Sequence, residues 1–266
     1  MKVLYWWKRL IGRRRGSEDG GGAKIEANVS SGDRSPDGST DFSRRRFLEG
    51  TTAAAVLGAT TMGTFEFVGL EPLVAQTKLS SDESLEELID GNRRFTSGQM
   101  TSFEHDLAML KQHTAEKQEP FAAVLSCADS RVPVELLFDQ TIGHLFVVRV
   151  AGNIISPEII GSLEYGAAVL GVKVLLVMGH GNCGAVKAAI QGKAVPGQIS
   201  ALYPHLRPAV DQAGPDLEAT VKANAKIQAS LLREASPVLA ELIKENKLKI
   251  VAGYYDIASG EVTLLE

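Results

Sequence analysis

The stretch from Val172 to Ile190, VKVLLVMGHGNCGAVKAAI, constrains this chain more than any other. An apolar run from Val174 to Met178 stops at Gly179, and an alanine-rich segment starts at Gly184. A short β-branched run bounded by glycine predicts a fully buried strand, and the segment after it predicts a helix. A strand-to-helix turn aims its side chains at the carboxyl edge of a sheet, where open α/β folds place ligands. That turn carries His180 and Cys183, two metal-competent side chains three residues apart. The same letters spell G-x-G-x-x-G from Gly179 through Gly181 to Gly184, a dinucleotide fingerprint. The turn therefore has two chemical meanings, and its surroundings must choose.

Upstream, Pro120 introduces a second buried strand, Phe121 to Ser126, ending in Cys127-Ala128-Asp129-Ser130-Arg131. A short helix is expected after Pro133, then a strand from Leu145 to Val150 that runs into Ala151-Gly152-Asn153. Ser156-Pro157-Glu158 opens a helix with Pro at its first position, running to about Leu170 with Gly171 as its cap. Before all of these, Ser81-Asp82-Glu83-Ser84 supplies a helix start and Leu85, Leu88, Ile89 and Phe95 its apolar stripe. Residues 103–117 read as a second, more polar helix. Downstream, the chain is helical or looped to Pro208 and mostly helical to Asn246. A strand is expected from Lys249 to Tyr254, a turn from Asp256 to Gly260, and a short edge strand from Val262 to Leu265. Strands alternating with helices predict an α/β fold with a mostly parallel central sheet flanked by helices.

In such a sheet the turns after Ser126, after Val150 and after Gly179 lie along one edge. Cys127 can then meet His180, 53 residues later in sequence. Cys127, His180 and Cys183 would supply two thiolates and one imidazole, and three protein ligands leave a tetrahedral zinc one open position, the mark of a catalytic site. Asp129 and Arg131, two residues apart on an extended turn, can form a charge-assisted pair facing that site. While Arg131 holds it, Asp129 stays ionised beside the metal; released, Asp129 can fill the fourth position and close the site. The dinucleotide reading fails on its second requirement. It needs an acidic residue at the end of the next strand, about 20 positions on. Gln198 to Pro204 contains neither that strand nor a carboxylate. With two cysteines in the whole chain, a disulfide framework is limited to one bridge, which would leave His180, Asp129 and Arg131 without a role.

With those residues assembled, the chain resembles a β-class carbonic anhydrase over about residues 80–266. The resemblance is carried by Cys127-Ala128-Asp129-Ser130-Arg131-Val132-Pro133 and by Phe146-Val147-Val148-Arg149-Val150-Ala151-Gly152-Asn153. Gly161-Ser162-Leu163-Glu164-Tyr165, Gly179-His180-Gly181-Asn182-Cys183-Gly184-Ala185 and Gly91-Asn92-Arg93-Arg94-Phe95 also fit. It implies one Zn²⁺ per subunit on Cys127, His180 and Cys183, an Asp129–Arg131 dyad, and reversible attack of a zinc-held hydroxide on CO₂ to give bicarbonate and a proton. It further implies that Gln118 binds substrate and that Phe146, Ala151, Tyr165 and Gly184 line a narrow apolar pocket. Part of that pocket comes from a second subunit, so a homodimer or tetramer is implied. COS or CS₂ hydrolysis on the same scaffold, or a zinc protein without turnover, are the alternatives. His105, His113, His144 and His205 are the candidates for passing the proton to buffer. One departure stands out: members regulated by a non-catalytic bicarbonate carry Trp three residues before the first cysteine, where this chain has Val124, although Arg149 is present.

The remaining residues divide the chain further. The formal charge is −4, but residues 1–75 hold 11 Lys+Arg against 9 Asp+Glu, so the body from residue 76 onward is acidic. An acidic body excludes phosphate-backbone binding and hence a nucleic-acid partner. Residues 1–42 are expected to form a disordered basic and polar extension whose head, with Trp6 and Trp7 among its basic residues, permits association with an anionic membrane surface. Residues 43–75 resemble a twin-arginine export signal, with Arg44-Arg45 followed by Phe47-Leu48 and a Thr/Ala/Gly-rich apolar segment. The expectation is therefore a zinc-dependent catalytic domain over residues 76–266 that is exported to the periplasm, or held at the membrane facing it if the leader is retained.

Overall fold

Continuous apolar strands need cover on both faces, and the fold supplies it from two sets of helices. The computed structural model describes residues 77–102, 111–112 and 114–266. The extension and leader expected over residues 1–75, His105, His113 and most of the polar helix expected at 103–117 lie outside the described residues. The elements are α1 (Ser81–Ser97), β1 (Ala122–Ser126), α2 (Val134–Leu137), β2 (Leu145–Arg149), α3 (Pro157–Glu164), β3 (Val174–His180), α4 (Gly184–Gln191), α5 (Tyr203–Ala213), α6 (Leu217–Ala235), α7 (Pro237–Lys244), β4 (Lys249–Tyr255) and β5 (Val262–Leu265). They form one five-stranded sheet in the order β2-β1-β3-β4-β5. The first four strands are parallel, and β5 closes the edge antiparallel to β4.

Every residue of β1 and β3 is buried. Alternation along them sends side chains to two cores. Ala122, Val124, Val174, Leu176 and Met178 pack with Leu88 of α1 and with Val134, Leu137 and Phe138 of α2 and its end. Ala123, Leu125, Leu175 and Val177 pack with Leu163 of α3, Ala225, Ala229 and Leu232 of α6 and Leu239 of α7. Each fully buried leucine or valine contributes about 1.5–3 kcal/mol.

Local chemistry explains the boundaries and corrects three of them. The cap of α1 is Ser80, one residue before the expected Ser81, because only Ser80 stands three positions ahead of Glu83. Its hydroxyl accepts from the Glu83 amide while the Glu83 carboxylate accepts from the Ser80 amide. The helix expected to run to Leu170 does so only after widening into a π-turn, Tyr165–Val169, before Gly171 takes its left-handed turn. Pro208 lies inside α5 instead of starting a helix. Among the described residues no helix is long and apolar enough to cross a membrane.

Candidate metal centre

Two strand ends and one helix start build the centre. Cys127 is the first residue after β1, His180 the last of β3, and Cys183 the cap residue of α4. The parallel register sets β1 against β3 and leaves all three side chains at one carboxyl edge, buried to within 4% of full cover. The two sulfurs and a histidine nitrogen lie within 4.8 Å of one another. Both cysteines are free thiols, so the disulfide reading falls.

The histidine shows what the cluster is shaped for. Its Nδ1 lies 2.9 Å from the Gly181 carbonyl. A carbonyl only accepts, so Nδ1 carries the proton and Nε2 presents a lone pair. That Nε2 is buried and has no hydrogen-bond partner among the described residues. An orphaned buried acceptor facing two sulfurs lacks an electrophile, and two thiolates with one imidazole match a Zn²⁺ donor set. The two sulfurs act on each other. A hydrogen bond from Cys183, helped by the Gly152 amide, pulls the Cys127 thiol down against its burial. That same bond, together with burial and the charge on Cys127, pushes Cys183 up, although the Ala185 and Val186 amides at the start of α4 oppose it.

The turn between the ligands owes its glycines to close approaches. A Cβ on Gly181 would lie 3.1 Å from the Tyr254 hydroxyl, and one on Gly179 would lie 2.7 Å from Val221 of α6. A Cβ on Gly184 would meet nothing within 4 Å among the described residues. Asn182 takes the left-handed conformation at φ 54° and directs its carbonyl to Arg131 Nη2 at 3.2 Å.

Asp129 and Arg131 form the expected pair. Oδ1 accepts from the Arg131 amide and Nε, both at 2.9 Å, and Oδ2 from Nη2 at 2.8 Å. The guanidinium holds the Asp129 carboxyl well below the usual carboxylate range. Its Oδ2 lies 3.9 Å from His180 Nε2, so the carboxylate stands beside the metal position while Arg131 occupies both its oxygens. Arg149, at the end of β2, braces this segment by donating to the carbonyls of Cys127, at 3.0 Å, and Asp129. Sequence reading assigned Arg149 no such role. Its pairing with Ser126, the residue before Cys127, is the signal that places it there.

The family model described as carbonic anhydrase matches residues 122–262. The chain belongs to the carbonic anhydrase family. It is similar to a carbonic anhydrase of Mycolicibacterium smegmatis, 34% identical over 185 residues that cover 66% of this chain and 89% of that protein. Its structure is similar to the β-carbonic anhydrase of Coccomyxa, with a TM-score of 0.53, 27% identity and coverage of 68% of this chain and 86% of that one. It also shares the fold of a β-carbonic anhydrase from Sordaria macrospora described as tetrameric, with a TM-score of 0.54 at 22% identity over 68% and 96% of the two chains.

As a β-carbonic anhydrase the chain divides its expected pocket residues between two places. Ala151 and Gly184 adjoin the centre, next to Gly152 and Cys183. Phe146 pairs with Ala123, four residues and about 13 Å along the strand from Cys127. Tyr165 goes with it, the two ring centroids being 6.2 Å apart. Gln118 is exposed ahead of β1, at the opposite end of the sheet from Cys127. Of the described shuttle candidates, His144 also stands at that far end, bonded to Gln140. His205 is exposed on α5, whose Leu206 packs over Gly152 beside the centre.

Proposed function

We propose that this protein hydrates CO₂ reversibly to bicarbonate and a proton, with Zn²⁺ held by Cys127, His180 and Cys183. The orphaned His180 Nε2 among two thiols carries the reading. Bound zinc supplies water made acidic enough to ionise near neutral pH. Everything else falls to the chain. Asp129, kept ionised by Arg131, accepts a hydrogen bond and orients the attacking oxygen. Val150 and Ile154, packed in the same cluster as the two cysteines, make the surroundings of the centre apolar, which suits a substrate without charge. His205 relays the proton outward. If Arg131 released it, Asp129 would be free to ligate the metal itself and close the site.

Gln118, Phe146 and Tyr165 bind substrate in the site of a second copy. Two observations support this. These residues stand away from their own chain's centre, and β2 is an apolar edge strand left half-buried along Leu145–Val148 where a covered parallel strand would be buried. The enzyme is exported through the twin-arginine signal at Arg44-Arg45, which the Phe47-Leu48 pair and the apolar segment behind it support. Replacing both arginines with lysine should retain the protein in the cytoplasm; continued export would refute the leader.

The deciding measurement compares zinc content and CO₂ hydration in the wild type and Cys183→Ser. Bound zinc in the wild type, with loss of metal and a fall of more than about 100-fold in the variant, is expected. A zinc-free wild type, or an unaffected variant, would remove the proposal.

A further inference from the structure

Helix α6 hides polar side chains that packing alone does not call for. Thr220, Asn224 and Gln228 recur every four residues and are all fully buried. An amide buried without partners costs about 1–3 kcal/mol, so what these groups hold matters. Thr220 bonds the carbonyls of Gly214 and Asp216, at the start of its own helix. Asn224 and Gln228 reach out of the helix. Asn224 Nδ2 donates to the Gly152 carbonyl at 2.8 Å, and Gln228 Oε1 accepts from the Ile155 amide at 2.9 Å. Gln228 Nε2 steadies the pair by donating to Asn224 Oδ1 and to the His205 carbonyl, both at 3.1 Å. The two side chains grip the segment after β2 at both ends.

That segment has no sheet to hold it. Gly152 and Asn153 are both left-handed, at φ 76° and 43°, a conformation that needs outside support for a non-glycine residue. The other polar group of Gly152, its N–H, donates to Cys127 Sγ at 3.3 Å. Anchoring the carbonyl on Asn224 fixes the orientation of the residue whose amide reaches the sulfur.

We propose that Asn224, steadied by Gln228, is a positioning residue for the metal centre: through Gly152 it aims the N–H that the Cys127 thiolate accepts. This rests on reading Cys127, His180 and Cys183 as metal ligands. An N–H donated to a thiolate draws charge from the sulfur, leaving the bound cation a stronger Lewis acid. The competing role is a seat for α6 on the loop, which would affect stability alone.

Cadmium-113 substitution separates the two. The wild type should show scalar coupling between ¹¹³Cd and the Gly152 amide proton, transmitted through the N–H···S bond. Asn224→Leu should lose at least about half of that coupling and change cadmium affinity by about 10–100-fold. Gln228→Glu, which keeps the acceptor for Ile155 but removes the donor to Asn224, should move both in the same direction. Leu232→Ala weakens the packing of α6 into the sheet core one turn beyond Gln228 and should leave both unchanged. Wild-type coupling in either folded variant, no coupling at Gly152 in the cadmium-loaded wild type, or an equal loss in Leu232→Ala would overturn the positioning role. A wild type that takes up no cadmium would instead overturn the metal centre beneath it.

Discussion

At the scale of single residues, two carboxylates show how one kind of group serves two ends. Asp129 is shared between Arg131 and the metal position, so Arg131→Ala should free it to act as the fourth ligand. Zinc content should stay at the wild-type level while kcat falls by about 10–100-fold; loss of metal, or unchanged kcat, would contradict the gate. Asp139 has a purely architectural task. It sits at φ 46° with its side chain fully buried, accepting from Arg94 Nε at 2.6 Å and from the Thr101 and Ser102 amides. Burial is the largest influence and pushes its carboxyl up, but Arg94 and those two amides together outweigh it and hold the group low. A depressed folded-state value stabilises above the unfolded carboxylate value and is lost as pH falls through the folded one. Wild-type stability should therefore drop below about pH 4, while Asp139→Asn, weaker by about 2 kcal/mol at pH 7, should show a flatter decline. Urea titrations between pH 7 and 3 check both slopes. Parallel slopes would mean the carboxylate is not the group responsible.

At the scale of elements, α1 is fastened to the sheet by contacts its own periodicity does not reveal. Asn92 is buried, donating to the carbonyls of Leu137 and Gly260 and accepting from the Val262 amide. Beside it, a Cβ on Gly91 would lie 1.9 Å from the Phe138 carbonyl oxygen, so helix and chain touch backbone to backbone. Gly91→Ala should destabilise by about 3 kcal/mol in urea unfolding. Gly98→Ala, at the open left-handed cap of the same helix, should lose only about 1 kcal/mol. Equal losses would show that helix propensity, not the close approach, governs Gly91. The apolar stripe that predicts α1 is a property of neighbours three and four apart and is visible in the letters. Its glycine and asparagine meet partners about 45 and 170 residues away, which no local pattern encodes. The same holds for the π-turn at Tyr165, where Gly166 leaves room for the Phe146 ring; local propensity asks only for helix there.

At the scale of the molecule, the proposed site takes its ligand set from one chain and part of its substrate pocket from another. Subunit complementation tests that division. Mixing inactive Cys183→Ser protein with impaired Gln118→Ala protein should restore about a quarter of wild-type activity, because half the dimers are mixed and each has one site with both parts intact. No recovery, or sedimentation as a monomer under assay conditions, would place Gln118 outside the neighbouring site.

The sequence by itself determined the strand runs, the mostly parallel sheet and the chemistry at its edge. Strand polarity puts turn residues on one side, and thiolate, imidazole and carboxylate have few uses in common. Three matters were decided by the tertiary structure. It drew the sulfurs and a histidine nitrogen to within 4.8 Å, left His180 Nε2 without a hydrogen-bond partner among the described residues, and tied Gly152 to Asn224. The physical reason is the same each time. A ligand type is a local property of a side chain, whereas the absence of a hydrogen-bond partner depends on everything packed around it.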